Sequence, residues 1–308
     1  MRLRVAVTLL VGAGLLSAGL TSAASTAPTA ATRSAVALPD GARVVSLGLV
    51  ADAVTVRRHA NGVPTAKAKA KAKARAKRAR AKARARARAR ARAKSLIPTT
   101  PVTPTAVEGT DYALMHFGPG AKTARWNSCE AVGWRLNPLH APASAVADLT
   151  TALQRVSART GVSFVYEGAT ADRPFSGAAH VNGEDLLLGF GTPAEYPTKL
   201  AGNVIGLGGP SVSYSITGGV ESPYEIVSGQ ALFSTAANMP AGFATGLSFG
   251  TLAMHELGHV MGLDHAANAH EVMAPSLTTS SPKDYAAGDQ AGLALEGAAG
   301  GCFAHSLR

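Results

Sequence analysis

Beyond its first 25 residues the chain has no second long hydrophobic run, which argues against a membrane-crossing helix in the remainder. Cysteine is scarce, with only Cys129 and Cys302 among 308 residues. A disulfide is the economical reading of that pair, closing a loop worth roughly 4 to 5 kcal/mol by chain entropy. The alternative is two buried thiols. Between Lys67 and Lys94 there is neither an acidic nor an aromatic residue, so this stretch lacks the stacking surfaces that specific nucleic-acid recognition would need.

What is present divides the chain. Met1 to Arg4 is basic, Val5 to Leu20 is apolar, and small residues run from Thr21 to Ser25. That is the layout of a secretory signal peptide over residues 1–24, cleaved after Ala23 or Ala24, the alternative being an uncleaved signal anchor, and it predicts a secreted, extracellular or cell-wall-associated protein. Residues 25–66 read as a spacer or short pro-segment. From Lys67 to Lys94 alanine alternates with fifteen Lys or Arg, and self-repulsion should keep this tract extended. It is either a solvated linker or an anchor to an anionic polymer. Pro98, Pro101 and Pro104 favour extended backbone, so residues 95–110 form a linker and 111–308 the folded domain. The net charge of +11 is therefore misleading. Residues 95–308 carry nine Lys or Arg against seventeen Asp or Glu, making an acidic domain on a cationic tether.

Hydrophobic residues make up 46% of the chain, alongside 33 Gly and 17 Pro, enough for a sizeable core with Gly-rich loops. Strands are expected at 131–136, 162–166, 186–190, 204–207, 212–216 and 230–234. Ser144 to Thr160 places Val146, Leu149, Leu153 and Val156 at spacings of three and four before Gly161, predicting an amphipathic helix. Together these give an α/β class with a small mixed sheet.

The chemistry concentrates in His255-Glu256-Leu257-Gly258-His259-Val260-Met261-Gly262-Leu263-Asp264-His265. Histidines at i and i+4 share one helix face and can reach one ion. Gly262 can take positive φ, end the helix and bring His265 back to the same ion. Three neutral imidazoles leave a fourth coordination position open, as expected of catalytic zinc. Glu256, beside the first ligand, is placed to act as a general base without ligating. His180, near Glu184 and Asp185, and His270, off the spacing, read as surface and rim residues.

Met273 follows His265 by eight residues in Glu271-Val272-Met273-Ala274-Pro275, the position of a Met-turn. With Arg125 to Cys129, Thr160 to Phe164 and Gly288 to Leu293, these motifs make residues 112–303 resemble a bacterial matrixin-like zinc metalloprotease of the metzincin clan. The resemblance implies a twisted mixed sheet, an active-site helix, a Met-turn and a C-terminal helix. It implies zinc held by His255, His259 and His265, Glu256 as base, and Met273 beneath the metal. Pro275 stands where astacin-like and serralysin-like relatives carry a tyrosine, so that fifth ligand is not expected. No cysteine lies between Ser25 and Ser128, so the cysteine that caps the zinc in many matrixin zymogens has no counterpart. Matrixins often hold a second zinc and calcium, for which no convincing ligand cluster is found. The expected activity is zinc-dependent endopeptidase action on protein or peptide. The alternatives are attachment to a surface polyanion through residues 67–94, or hydrolysis of cell-wall peptide.

Overall fold

The computed structural model of the chain describes residues 43–47, 106–118, 120–177, 183–217, 219–304 and 306–308. The expected signal peptide (1–24), the basic tract and His180 lie outside the described residues. The elements are β1 (Arg43–Leu47), β2 (Ala113–Leu114), β3 (Ala124–Arg125), β4 (Val132–Leu136), α1 (Ala145–Thr160), β5 (Phe164–Ala169), β6 (Leu186–Gly191) and β7 (Gly206–Thr217). They continue with β8 (Val220–Glu221), β9 (Tyr224–Ser234), α2 (Phe249–Val260), β10 (Leu263–Asp264) and α3 (Ala287–Leu295).

The main sheet is mixed, in the order β1-β7-β9-β6-β4-β5. Strands β5, β4, β6 and β9 run parallel to one another, while β7 is antiparallel to both β9 and β1. Strand β6 is buried at all six positions, which is why its sequence reads as an unbroken apolar run, as central parallel strands do. Helix α1 forms because Ala145, Leu149, Ala152, Leu153, Val156 and Thr160 fall on one stripe; it ends at Gly161, whose N–H donates to Ser157 O. Val146 was expected in that stripe, but it is 37% exposed. It sits one position off the buried face, and the small Ala145 and Ala152 take the inner places.

Two expected strands, 204–207 and 212–216, are one strand, β7, running through Gly208, Gly209 and Pro210 with a register shift at Ser211/Val212. The glycines read as a break because they lack β-propensity. Gly206 and Gly208 instead mark a close crossing, since a Cβ on either would collide with Glu256 of helix α2. Helices α1 and α2 pack on each other and on the sheet around one apolar cluster that includes Trp126, Trp134, Leu149, Leu153, Ile226 and Leu252. The Trp126 indole N–H donates to Val260 O at 3.0 Å, tying the end of α2 to the segment before β4. Cys129 and Cys302 are disulfide-bonded with Cα atoms 5.4 Å apart, joining the start of the domain to its end.

Candidate metal centre

Helix α2 begins at Ser248, an extended residue whose side chain accepts from Thr251 N–H at 3.2 Å, satisfying one of the unpaired N–H groups of the first turn. Every residue from Phe249 to Val260 is buried, so the helix has no solvent face and must satisfy its polar side chains internally. At its end, Gly262 takes φ of +100°, and its carbonyl accepts from Met115 N–H at 2.7 Å. The chain then reverses into β10, which pairs with β2 and delivers His265.

Three imidazoles converge. His255 Nε2 lies 3.1 Å from His259 Nε2 and 3.3 Å from His265 Nε2. His255 Nδ1 contacts Val272 O at 2.7 Å, and His259 Nδ1 contacts Leu263 O at 2.8 Å. A carbonyl can only accept, so both Nδ1 atoms carry the hydrogen and both Nε2 atoms present lone pairs. Burial pushes the His255 pKa down to about 3, helped by the neighbouring His265. Burial likewise drives His259 well below the ordinary histidine value, with His255 and His265 adding to it. His265, less buried, is also lowered chiefly by burial. Neutral rings with lone pairs facing one another repel unless a cation lies among them. Zinc–nitrogen bonds of about 2.0 to 2.1 Å in a tetrahedron separate the nitrogens by about 3.3 to 3.4 Å, close to both observed spacings. The donor set therefore fits one zinc-sized cation.

Glu256 is fully buried, and neither carboxylate oxygen has a hydrogen-bond partner. Burial raises its pKa well above the ordinary value. A bare buried carboxyl costs stability unless charge or solvent at a functional site meets it. Strand β7 is pressed close to it at Gly206.

Met273 lies 1% exposed against α2, and a Cβ at Gly258 would meet its sulfur. The turn carrying it is held from α3. Asp289 accepts from Val272 N–H at 2.7 Å, Met273 N–H at 3.0 Å and Ala286 N–H at 3.0 Å. Burial and the nearby Glu271 raise the Asp289 pKa to about 7. Because Val272 O orients His255, Asp289 acts on that ring through one peptide unit. Sequence reading assigned Asp289 no role; the available signal was an acidic residue in the first turn of the closing helix, able to reach back to its N-terminal N–H. His270 is exposed and outside the cluster.

Residues 201–294 match the sequence model of the matrixin family. The domain is matrixin-like. The match begins just before β7 and ends within α3, spanning all three histidines, Glu256, Met273 and Asp289. No curated protein matches the chain. The matrixin-like reading, the mixed sheet and the C-terminal helix agree with the expectation from the motifs. Matrixins are zinc-dependent metalloproteases, and the described residues supply a three-histidine cluster suited to such an ion. Among the described residues no helix is long and apolar enough to cross a membrane.

Proposed function

We propose that the chain is a secreted endopeptidase holding one zinc ion on His255, His259 and His265, with Glu256 as its general base. The observation that carries this reading is the convergence of the histidines beside a buried carboxyl with no other partner. When bound, zinc would supply Lewis-acid polarisation of the scissile carbonyl and acidify a water. Burial alone favours the neutral form of Glu256, and a nearby dication would favour the proton-accepting form. Glu256 then takes a proton from water as the oxygen bonds to the carbonyl carbon. The same carboxyl returns that proton to the amine nitrogen as the carbon–nitrogen bond breaks. His255 and His259 stay neutral throughout, locked by Val272 O and Leu263 O, and Met273 backs them from below.

The test is Glu256→Gln with metal content measured in parallel. Peptide hydrolysis should fall by about 10² to 10⁴-fold with zinc retained; full activity would refute the assignment. Residues 67–94 are read as a second function, retention on an anionic polymer, favoured by fifteen positive charges without an acid. Retention on an anionic resin should survive Glu256→Gln and fall with salt; a chain lacking 67–94 that is retained equally well would end that reading.

A further inference from the structure

Helix α2 ends with four carbonyls that no residue of the helix can pair. Those of Leu257 and Gly258 accept from Met261 N–H, and that of His259 accepts from Gly262 N–H. The fourth, Val260 O, is met by the Trp126 indole N–H at 3.0 Å. Two residues before Trp126, Ala124 O faces the Gly262 turn, where an added Cβ would stand 3.1 Å from it. Residues 124–126 therefore hold both the end of α2 and the reversal behind it, which place His259 and His265. The His259 ring depends on that turn a second time, because its Nδ1 donates to Leu263 O.

Residues 124–131 are braced in turn from a segment beyond α3, and both lie outside the matched residues 201–294. Arg125 Nη1 and Nη2 donate to Gly301 O and Gly300 O at 2.6 Å each, and Cys129 is bonded to Cys302. Ser306 Oγ and Leu307 N–H donate to the two oxygens of Glu225 at 2.8 and 2.6 Å, opposite Arg125 across the β3–β9 pair. The Arg308 side chain is only 3% exposed. Its Nη2 lies 3.1 Å from Glu130 Oε2 and 3.3 Å from Ala131 O, and its Nη1 lies 3.7 Å from Asp185 Oδ2. The guanidinium stands 5.7 Å from the centre of the Trp126 ring. Taking a guanidinium out of water is costly unless carboxylates and carbonyls receive it. Here Glu130, Ala131 and Asp185 receive it, just before β4 and β6 and beside Trp126.

We propose, on the basis of the zinc site inferred above, that Arg308 is a positioning residue for the metal centre. Clamped over Trp126, it holds the indole on Val260 O and so sets how tightly His255, His259 and His265 grip zinc. Its loss leaves all three donors present and alters only their spacing. Groups directly behind metal ligands are worth about 10 to 100-fold in affinity; Arg308 stands one step further back, so the lower figure applies.

The experiment measures the zinc dissociation constant of the metal-depleted full chain by competition with a chromogenic chelator. Wild type is compared with Arg308→Gln, Trp126→Phe, the double variant, and Leu200→Ala, a core truncation in the separate cluster of Tyr196, Leu207 and Leu232. Trp126→Phe keeps an aromatic ring and removes the N–H, so it decides the matter should Arg308→Gln fail to fold. Each of these two changes should weaken zinc binding by about tenfold, and the double variant by no more than about threefold beyond the larger single effect. Leu200→Ala should stay within about threefold of wild type. Under saturating zinc, kcat and KM of the Arg308→Gln protein should return to wild-type values, because ligands and base are untouched. Unchanged zinc affinity in either single variant overturns the proposal. So do additive losses in the double variant, an equal loss in Leu200→Ala, or a kcat that stays low under saturating zinc. A wild type that binds zinc but hydrolyses no peptide defeats the endopeptidase reading, while the affinities still decide the role of Arg308. A wild type that binds no zinc defeats the metal site and the proposal with it.

Discussion

Gly258 sits inside α2, and two effects of adding a methyl there oppose each other. Ala is preferred to Gly in a helix interior by up to about 1 kcal/mol, so propensity alone makes Gly258→Ala stabilising. The new Cβ would meet the Met273 sulfur inside contact distance and would stand 3.0 Å from Cε and 3.5 Å from Cγ. Met273 is 1% exposed and has little room to retreat. Overpacking of this kind costs about 1 to 3 kcal/mol, so the clash should win, with a net loss of about 1 kcal/mol. Denaturant unfolding of the metal-free chain measures it. Met273→Ala alone should cost about 2 to 5 kcal/mol. In the double variant the two changes should fall short of additivity by about 1 kcal/mol or more, because the methyl added at position 258 enters space the sulfur has left. A more stable Gly258→Ala protein, or strict additivity with Met273→Ala, would show that the turn does not press on the helix. Metal titration adds a second readout. Displacing the support under His255 should weaken zinc binding by about 10 to 100-fold, the size seen when residues behind metal ligands are altered.

Glu296 is 3% exposed, and burial raises its pKa to about 8, partly offset by Arg125. With the folded value above the ordinary 4.5, its contribution to stability is whole below that pH and drains away as pH rises towards about 8, by up to about 1.4 kcal/mol per pH unit. Glu296→Gln should flatten this slope in unfolding curves between those limits; an unchanged slope would place its origin elsewhere. Removing the Cys129–Cys302 bridge by Cys129→Ser/Cys302→Ser opens a loop spanning a sequence separation of 173 and should cost about 5 kcal/mol by loop entropy, read as a lowered denaturation midpoint. Leu153→Ala should cost about 2 to 5 kcal/mol, against less than about 0.5 for the exposed Val146→Ala; equal losses would contradict the placement of the α1 stripe.

The histidine cluster was readable in the sequence because its spacing is set locally, by one helix turn and one glycine reversal. Helix α1 was readable for the same reason, apart from Val146, where a stripe read from the spacing of large apolar residues missed that alanines fill the inner face. What escaped depends on contacts distant in sequence. Strand β7 looked broken because nothing in 204–217 announces that Glu256 lies against its glycines. Asp289 is an ordinary first-turn acid until α3 is docked beneath residues 271–273. The pairing of Arg43–Leu47 with Val212–Ile216 joins segments more than 160 residues apart, beyond the reach of any local pattern.

Ligands, base, ring-orienting carbonyls and supporting methionine all fall between His255 and Met273. Drawing such a short stretch into a cage costs little loop entropy compared with bringing the two cysteines together. The catalytic apparatus is thus a nearly self-contained cassette. Insertions and rearrangements elsewhere in the sheet can alter what reaches it without unmaking it, whereas one extra residue between Gly262 and His265 would disable it outright.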